Sequence, residues 1–346
     1  MNETKSEREF NMKMCVKCVL PEAPPNITLS DSGKCNLCID FENESKEIAD
    51  QKMLETDFLK LLEKYRGKGQ YDCLVMCSGG KDSTSALYFM VKRYKMKTLA
   101  FTFDHGFETD EAMENVERAV DILGVDFLYF KSTYMKNLFG KLIKTQSKAV
   151  ICHPCSIWYM QKTFDLASKF EIPIIVAGWT KGQSSSSSSS VMSKCACSIS
   201  QPEFVKMGKA TKDFIQNHVK TDPEYRDFPS SMEEMLTKAQ KKHKAIVISP
   251  HWFLPFDQET YVDIIKKELN WEQPVLSYPS KSTNCELNFL SVHNSMENYG
   301  YTHYHVEMSK MIRQGLITRE EALERLQFNY PKESLDKIKN KLGIDT

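Results

Sequence analysis

An α/β fold organised on a doubly wound parallel sheet is what this sequence predicts, and three observations predict it. Short apolar runs such as "YDCLVM" and "IPIIVAG" alternate with longer segments of helical spacing, the order expected of parallel strands covered by helices on both faces. One such run leads directly into "CSGGKDS", a glycine-rich turn placed between a strand and a helix. The chain can also bury a large core, with 346 residues of which 41% are hydrophobic.

The elements follow in order. The start, "MNETKSEREFNMKMC", is polar and charged and lacks the apolar centre of a signal peptide. Next come "CVKC" and "CNLC", which place Cys15, Cys18, Cys35 and Cys38 as two C-x2-C knuckles separated by 16 residues. That spacing predicts a zinc ribbon over residues 1–45, structural because four cysteines leave no open coordination position. Residues 46–70 read as a charged helical connector. From 71 to 260 the strand–helix alternation sets out the main domain. "YDCLVMC" is its first strand, "KTLAFTFDHG" its second and "VDFLYF" its third. "DEAMENVERAVDILG" lies between the second and third, a helix with Ala112, Met113, Val116, Ala119, Val120 and Leu123 on one face and Gly124 as its stop. A helix follows Cys155, "IPIIVAG" is the fourth strand, and "AIVISPHWFLPF" supplies the fifth. Seven serines at 184–190 cannot bury apolar area and predict a mobile loop, opening a polar helical insertion that runs to about 244. Residues 261–346 read as helical, with "TREE" at 318–321 as a capping box and Gly315 closing the helix before it.

Charge narrows the range of partners. Lys+Arg and Asp+Glu are equal at 46 each, which argues against a long nucleic acid bound through its phosphates. No run approaches the roughly 18 apolar residues of a membrane span. The expectation is a soluble cytoplasmic protein with no membrane partner. In that reducing compartment eleven cysteines are metal ligands, reactive groups or buried thiols rather than a disulfide framework.

A glycine-rich turn at a helix N-terminus gathers backbone N–H groups at the positive end of the helix dipole and binds anions, phosphate above all. The turn is not the G-x4-G-K-[ST] pattern, because its second glycine lies too close to the lysine. It reads S-G-G-x-D-S, which resembles the PP-loop of the ATP pyrophosphatase superfamily, whose members cleave ATP between the α- and β-phosphates. The resemblance implies an adenine nucleotide alpha hydrolase-like fold with ATP and Mg2+ as cofactors. It implies further that Ser78, Gly79, Gly80 and Ser83 cradle the pyrophosphate, that Lys81 neutralises its charge, and that Asp82 positions Mg2+ or the loop. Asp104, at the end of the second strand, is a candidate nucleotide or Mg2+ contact, since such sheets bind ligands beyond the C-terminal ends of their strands.

Two further resemblances point to different second steps. "CVKCVLPEAPPNITLSDSGKCNLC", "CSGGKDS" and "YGYTHYHVEMSKMIRQGLITREEAL" together resemble the N-acetyl sugar amidotransferase family. That family implies nitrogen transfer to an acetamido sugar for surface polysaccharides, with ammonia supplied by a partner glutaminase and cyclase-like pair. "CHPC", with Cys152 and Cys155, is similar in placement to the C-x2-C of PP-loop enzymes that put sulfur into tRNA. With a third cysteine those proteins hold a [4Fe-4S] cluster, and a sulfur-donor protein is the partner implied. Cys285 is the best third candidate here, ahead of Cys77, Cys195 and Cys197, and a small substrate suits the charge balance better than tRNA. A non-catalytic zinc-ribbon adaptor is the remaining class, disfavoured by the intact loop. His153 and His251 read as structural histidines before acid–base groups, and Trp179 and Trp252 as core before stacking platforms.

Overall fold

The computed structural model describes residues 12–44, 55–180, 184–185, 194–195, 202–255, 257–275, 277–279, 285–328, 330 and 332–344. Strands β1 (Cys73–Met76), β2 (Thr98–Asp104), β3 (Asp126–Lys131) and β4 (Ile174–Val176) belong to its main sheet. A separate antiparallel pair joins β5 (Ser184–Ser185) to β6 (Lys194–Cys195), and β7 (Ile246–Ile248) completes the main sheet. The main-sheet order is β3-β2-β1-β4-β7, and every pairing in it is parallel. The chain therefore winds outward from β1 in one direction and then returns to start again on the other side. The switch point lies between β1 and β4, where a doubly wound sheet opens its ligand crevice.

Both faces of the sheet are covered, so the central strands β1, β2 and β4 are buried along nearly their whole length. Leu74, Leu99, Phe101, Phe103, Ile175 and Val247 point to one core. Cys73, Val75, Ala100, Ile174, Val176 and Ile248 point to the other. The alternation is the period of two that a strand imposes. Truncating a fully buried ring such as Phe101 costs about 3–5 kcal/mol by this kind of packing.

The helices in chain order are α1 (Asn36–Glu44), α2 (Glu55–Tyr65), α3 (Lys81–Tyr88), α4 (Asp110–Leu123), α5 (Thr133–Lys144), α6 (Cys152–Lys169) and α7 (Val205–Phe214). They continue with α8 (Met232–Lys242), α9 (Gln258–Leu269), α10 (Leu287–Tyr299), α11 (His303–Arg313), α12 (Arg319–Arg325) and α13 (Lys332–Lys341). α3 runs on through a π-turn over Phe89–Arg93. Caps fix the ends: Thr109 accepts from the Ala112 amide, and Gly124 closes α4 in the left-handed region. Thr318 and Glu321 form the expected capping box. No described helix is long and apolar enough to cross a membrane.

The sequence expectations differ from the structure at four places. The fifth main-sheet strand is only three residues long, because Pro250 converts "PHW" into a 3-10 turn. α6 begins at Cys152 rather than after Cys155. α5, capped by Ser132, was not among the elements expected. Within the serine run, Ser184 and Ser185 pair with β6, and residues 186–190 lie outside the described residues.

Candidate functional site

The loop occupies the switch point. β1 delivers Cys77 and Ser78, and α3 starts at Lys81 with Gly80 as its N-cap. Gly80, as the N-cap, has no side chain with which to cap that helix, and the amides of a helix start are suited to an anion. Gly79 sits at φ +74°, and a Cβ there would lie 1.9 Å from the Ala112 carbonyl oxygen in the first turn of α4. Only glycine allows that approach. The Ser78 amide donates to Ser83 Oγ at 3.1 Å, and Ser83 Oγ donates to the Gly80 carbonyl at 3.2 Å. The two serines thereby tie the loop into a ring across the helix start.

Lys81 and Asp82 are both largely buried, with Nζ 2.6 Å from Oδ2. An incoming pyrophosphate would share that ammonium with Asp82. The Tyr261 hydroxyl from α9 donates to the other Asp82 oxygen, and burial, reinforced by Asp82, pushes the phenol far above its usual range. His251 Nε2 donates to the Asp82 carbonyl at 2.9 Å, and burial keeps this imidazole below its ordinary value and so neutral. Trp271 Nε1 and Asn115 Nδ2 both donate to the Gly79 carbonyl, at 2.8 and 3.3 Å. Gly178, just beyond β4, closes the other side: a Cβ there would stand 2.6 Å from the Ser83 nitrogen.

These supports have measurable weight. Tyr261→Phe removes one hydrogen bond to a carboxylate, a change of about 1.5–3 kcal/mol. We expect lower stability to urea and weaker ATP binding in that variant, and unchanged ATP affinity would show that Asp82 is held without it. Ser83→Ala and Asp82→Asn are expected to stop AMP formation while leaving the far-UV circular dichroism intact, because neither side chain packs in the core. A variant that still forms AMP and pyrophosphate at the normal rate would overturn the loop assignment.

Asp104 is placed at the end of β2, but its carboxylate already has protein partners. Tyr129 donates to one oxygen and the Gly106 amide to the other at 2.5 Å, with Lys131 Nζ 3.5 Å away. Burial alone would raise this carboxyl, yet the Tyr129 hydroxyl, the Gly106 amide and Lys131 hold it below its ordinary value. Asp104 thereby orders the turn after β2, each of its oxygens accepting one of these hydrogen bonds.

Cys15, Cys18, Cys35 and Cys38 are all buried, and their sulfurs lie within 4.8 Å of one another. The Cys15–Cys38 and Cys18–Cys35 sulfur pairs are 3.9 and 3.7 Å apart. Four sulfurs about 2.3 Å from one tetrahedral ion stand about 3.8 Å apart, so the set fits zinc. The Cys18 and Cys35 amides donate to Cys15 Sγ at 3.4 and 3.2 Å, and hydrogen bonds from the other three thiols, Cys18 first, hold Cys15 below its usual range.

Of the second cysteine group, Cys155 and Cys285 meet at one imidazole, and Cys152 has other partners. Cys152 and Cys155 open α6, while Cys285 enters from a distant loop, and the sulfurs of Cys155 and Cys285 both face the His105 imidazole. Cys152 Sγ donates to Ser291 Oγ at 3.3 Å, and burial pushes its thiol up to about 12. Two thiols facing one imidazole suit a soft cation in donor chemistry, whereas among the described residues Cys152, Cys155 and Cys285 do not bring all three sulfurs within 4.8 Å of one another. Of the weaker candidates, Cys77 is buried under the loop with its sulfur directed to the Val75 carbonyl. The Cys195 side chain and all of Cys197 lie outside the described residues. Trp252 is buried and Trp179 half-buried beside it, their ring centroids 6.4 Å apart. Sequence reasoning did not single out His105, Glu108, Gly178, Tyr261 or Trp271.

The thiol group and the loop are neighbours. His105 follows β2 as the loop follows β1, and these strands are paired along their length. Tyr159 of α6, whose hydroxyl donates to the Phe101 carbonyl at 3.2 Å, has Cys77, Glu108 and Cys155 as electrostatic neighbours.

Comparison with known proteins gives a family match over this region. The family model of the queuosine biosynthesis protein QueC matches residues 72–164, from β1 through most of α6. An uncharacterized protein of Methanocaldococcus jannaschii is 21% identical over 330 residues, covering 95% of this chain and 91% of that protein. Among solved structures, the U34-tRNA thiolase NcsA from Methanococcus maripaludis with its [4Fe-4S] cluster aligns at a TM-score of 0.35 and 16% identity, over 92% of this chain and 90% of that one. An NMN synthetase from Francisella tularensis aligns at 0.40 and 11%, over 83% and 93%. An NH3-dependent NAD synthetase from Campylobacter jejuni, in complex with the nitrate ion, aligns at 0.36 and 13%, over 86% and 94%. The S-G-G-K-D-S loop at the switch point, and a family match that spans its strand and its helix, support the PP-loop ATP pyrophosphatase superfamily for this chain.

Proposed function

We propose that this chain activates a carbonyl or amide oxygen of a small molecule with ATP and then delivers sulfur to the activated carbon. The substrate oxygen attacks the α-phosphorus, the bond to the β-phosphate breaks, and pyrophosphate leaves into the Ser78–Ser83 cradle. A sulfur nucleophile then adds to the adenylated carbon, and AMP departs with the oxygen. The protein's contribution is positioning and charge stabilisation. Lys81 and the first-turn amides of α3 meet the developing negative charge, and Mg2+ would shield it.

One observation carries the sulfur step: the half-buried thiols of Cys155 and Cys285 face the His105 imidazole beside the loop, and Cys152 stands in the same helical turn as Cys155. A thiophilic metal centre held among these residues would supply the chemistry of that step, carrying sulfide to the activated carbon. A sulfur-donor protein would then be the natural partner.

A specific contact favours nitrogen transfer as the second reading. The ribbon and the C-terminal tail, which carry the amidotransferase resemblance, pack on each other. The Val19 amide donates to Ser309 Oγ at 3.2 Å and Arg319 Nε to the Cys18 carbonyl at 3.1 Å. In that reading the acceptor is an acetamido sugar and a glutaminase-type partner supplies ammonia.

Anaerobic turnover separates the two. With ATP, Mg2+ and a panel of amide and acetamido compounds, AMP release is expected with sulfide present, and Cys152→Ser and Cys155→Ser are expected to suppress it while sparing ATP–pyrophosphate exchange. AMP release driven by ammonium, and not by sulfide, would overturn sulfur transfer in favour of nitrogen transfer.

A further inference from the structure

We propose a second metal site, separate from the four-cysteine cluster: one divalent ion, zinc or iron(II), bound by His105, Glu108 and Cys285. The three ligand atoms lie within 4.8 Å of one another. His105 Nε2 stands 3.1 Å from Glu108 Oε1 and 3.6 Å from Cys285 Sγ. His105 and Glu108 expose only 6% and 10% of their side chains, so an imidazole, a carboxylate and a thiol meet out of water. Such a meeting is costly unless a cation or a full set of hydrogen bonds compensates it.

The set is built into the backbone rather than assembled by chance side-chain reach. Cys285 and Glu108 form an antiparallel bridge, and the Glu286 amide donates to the Phe107 carbonyl at 2.9 Å. A residue 180 positions from His105 is thereby held in register with the turn after β2. The imidazole is committed to the same side: among the described residues its buried Nδ1 has no hydrogen-bond partner, and its polar contacts run through Nε2.

Ligand chemistry selects the ion. One nitrogen, one oxygen and one thiolate sulfur suit borderline metals, whereas Mg2+ and Ca2+ take oxygen donors. Three protein ligands leave a fourth position open, as in catalytic rather than structural zinc sites. That position would take a small nucleophile of the hydrosulfide or ammonia class. The use of that nucleophile rests on the adenylation reading above; binding of the ion does not.

The test is metal content of the full chain purified anaerobically, with His105→Ala, Glu108→Gln and Cys285→Ser beside the wild type. The wild type is expected to hold about two divalent ions per chain, and His105→Ala and Cys285→Ser about one, with unchanged circular dichroism. Glu108→Gln should bind the second ion at least about tenfold more weakly. Should Cys285→Ser fail to fold, His105→Ala and Glu108→Gln decide the matter. Wild-type metal content in those variants would overturn the site. About four irons per chain, lost in Cys152→Ser and Cys155→Ser but kept in His105→Ala and Glu108→Gln, would also overturn it and leave sulfur transfer standing. A second ion that depends on His105, in a chain with no sulfide-driven AMP release, would uphold the site and remove the sulfur-transfer reading.

Discussion

Alanine at Gly79 is expected to abolish ATP cleavage, with AMP formation falling by at least about 100-fold, the scale on which a misplacement of about 1 Å acts. Two effects combine. The residue sits at φ +74°, which costs a side-chain-bearing residue about 1–2 kcal/mol. Its Cβ would also fall 1.9 Å from the Ala112 carbonyl oxygen, and backbone in the first turn of α4 cannot step aside as a flexible side chain would. The loop or the helix must shift, and with it the Gly79 carbonyl that Trp271 and Asn115 hold. Gly67 is the matched control, since it has φ +69° but open space where a Cβ would stand, and it lies before β1 rather than in the loop. Its alanine variant bears the dihedral cost alone. Steady-state AMP release from the two variants makes the comparison, and a Gly79→Ala protein as active as Gly67→Ala would show that the turn does not hold the phosphates.

Removing the metal from the four-cysteine cluster, or replacing Cys15 with serine, is expected to unfold residues 12–44. Structural zinc contributes on the order of 10–16 kcal/mol of apparent binding free energy to such modules, far beyond what a segment of this size gains from its own core. The loss should spread, because Tyr301 and Val306 of the C-terminal region share the ribbon's apolar cluster. Hydrogen exchange with and without chelator reads the effect directly. Protection should fall in 12–44 and in α11, and β1–β4 should keep theirs. Unaltered protection in 12–44 would mean that the four thiols stabilise the segment without an ion.

Local chemistry made the sheet, the ribbon and the loop legible. Strands buried on both faces give unbroken apolar runs, C-x2-C knuckles state their own geometry, and the loop's glycines and hydroxyls follow one another in the chain. What was not legible comes from distant partners. Tyr261 and Trp271 reach the loop from 179 and 192 positions away, and nothing in "ETYVDIIKKELNW" distinguishes those rings from ordinary apolar positions on a helix. His105 lies within a quoted strand end, yet its meaning depends on Cys285 arriving beside it. Asp104 shows the opposite limit. A carboxylate at a strand end reads as a ligand contact, and nothing in the sequence announces that Tyr129 from the adjacent strand and the Gly106 amide also donate to its oxygens. Gly178 ends a run that reads only as a strand, and its close approach to Ser83 is set by the switch point.

The hydrogen bond between Val19 and Ser309 spans 290 positions of the chain, and that span has a consequence for biosynthesis. At roughly 5–20 residues per second, the ribosome makes the ribbon about 15–60 s before the helix that shelters it. Through that interval Leu20 and Ile27, fully buried in the finished protein, have no C-terminal helix to lie against. Four thiols drawn onto one ion within the first forty residues would give the nascent segment its shape without that helix. Metal supply during translation then governs how much of the newly made chain reaches its tail in a form ready to receive it.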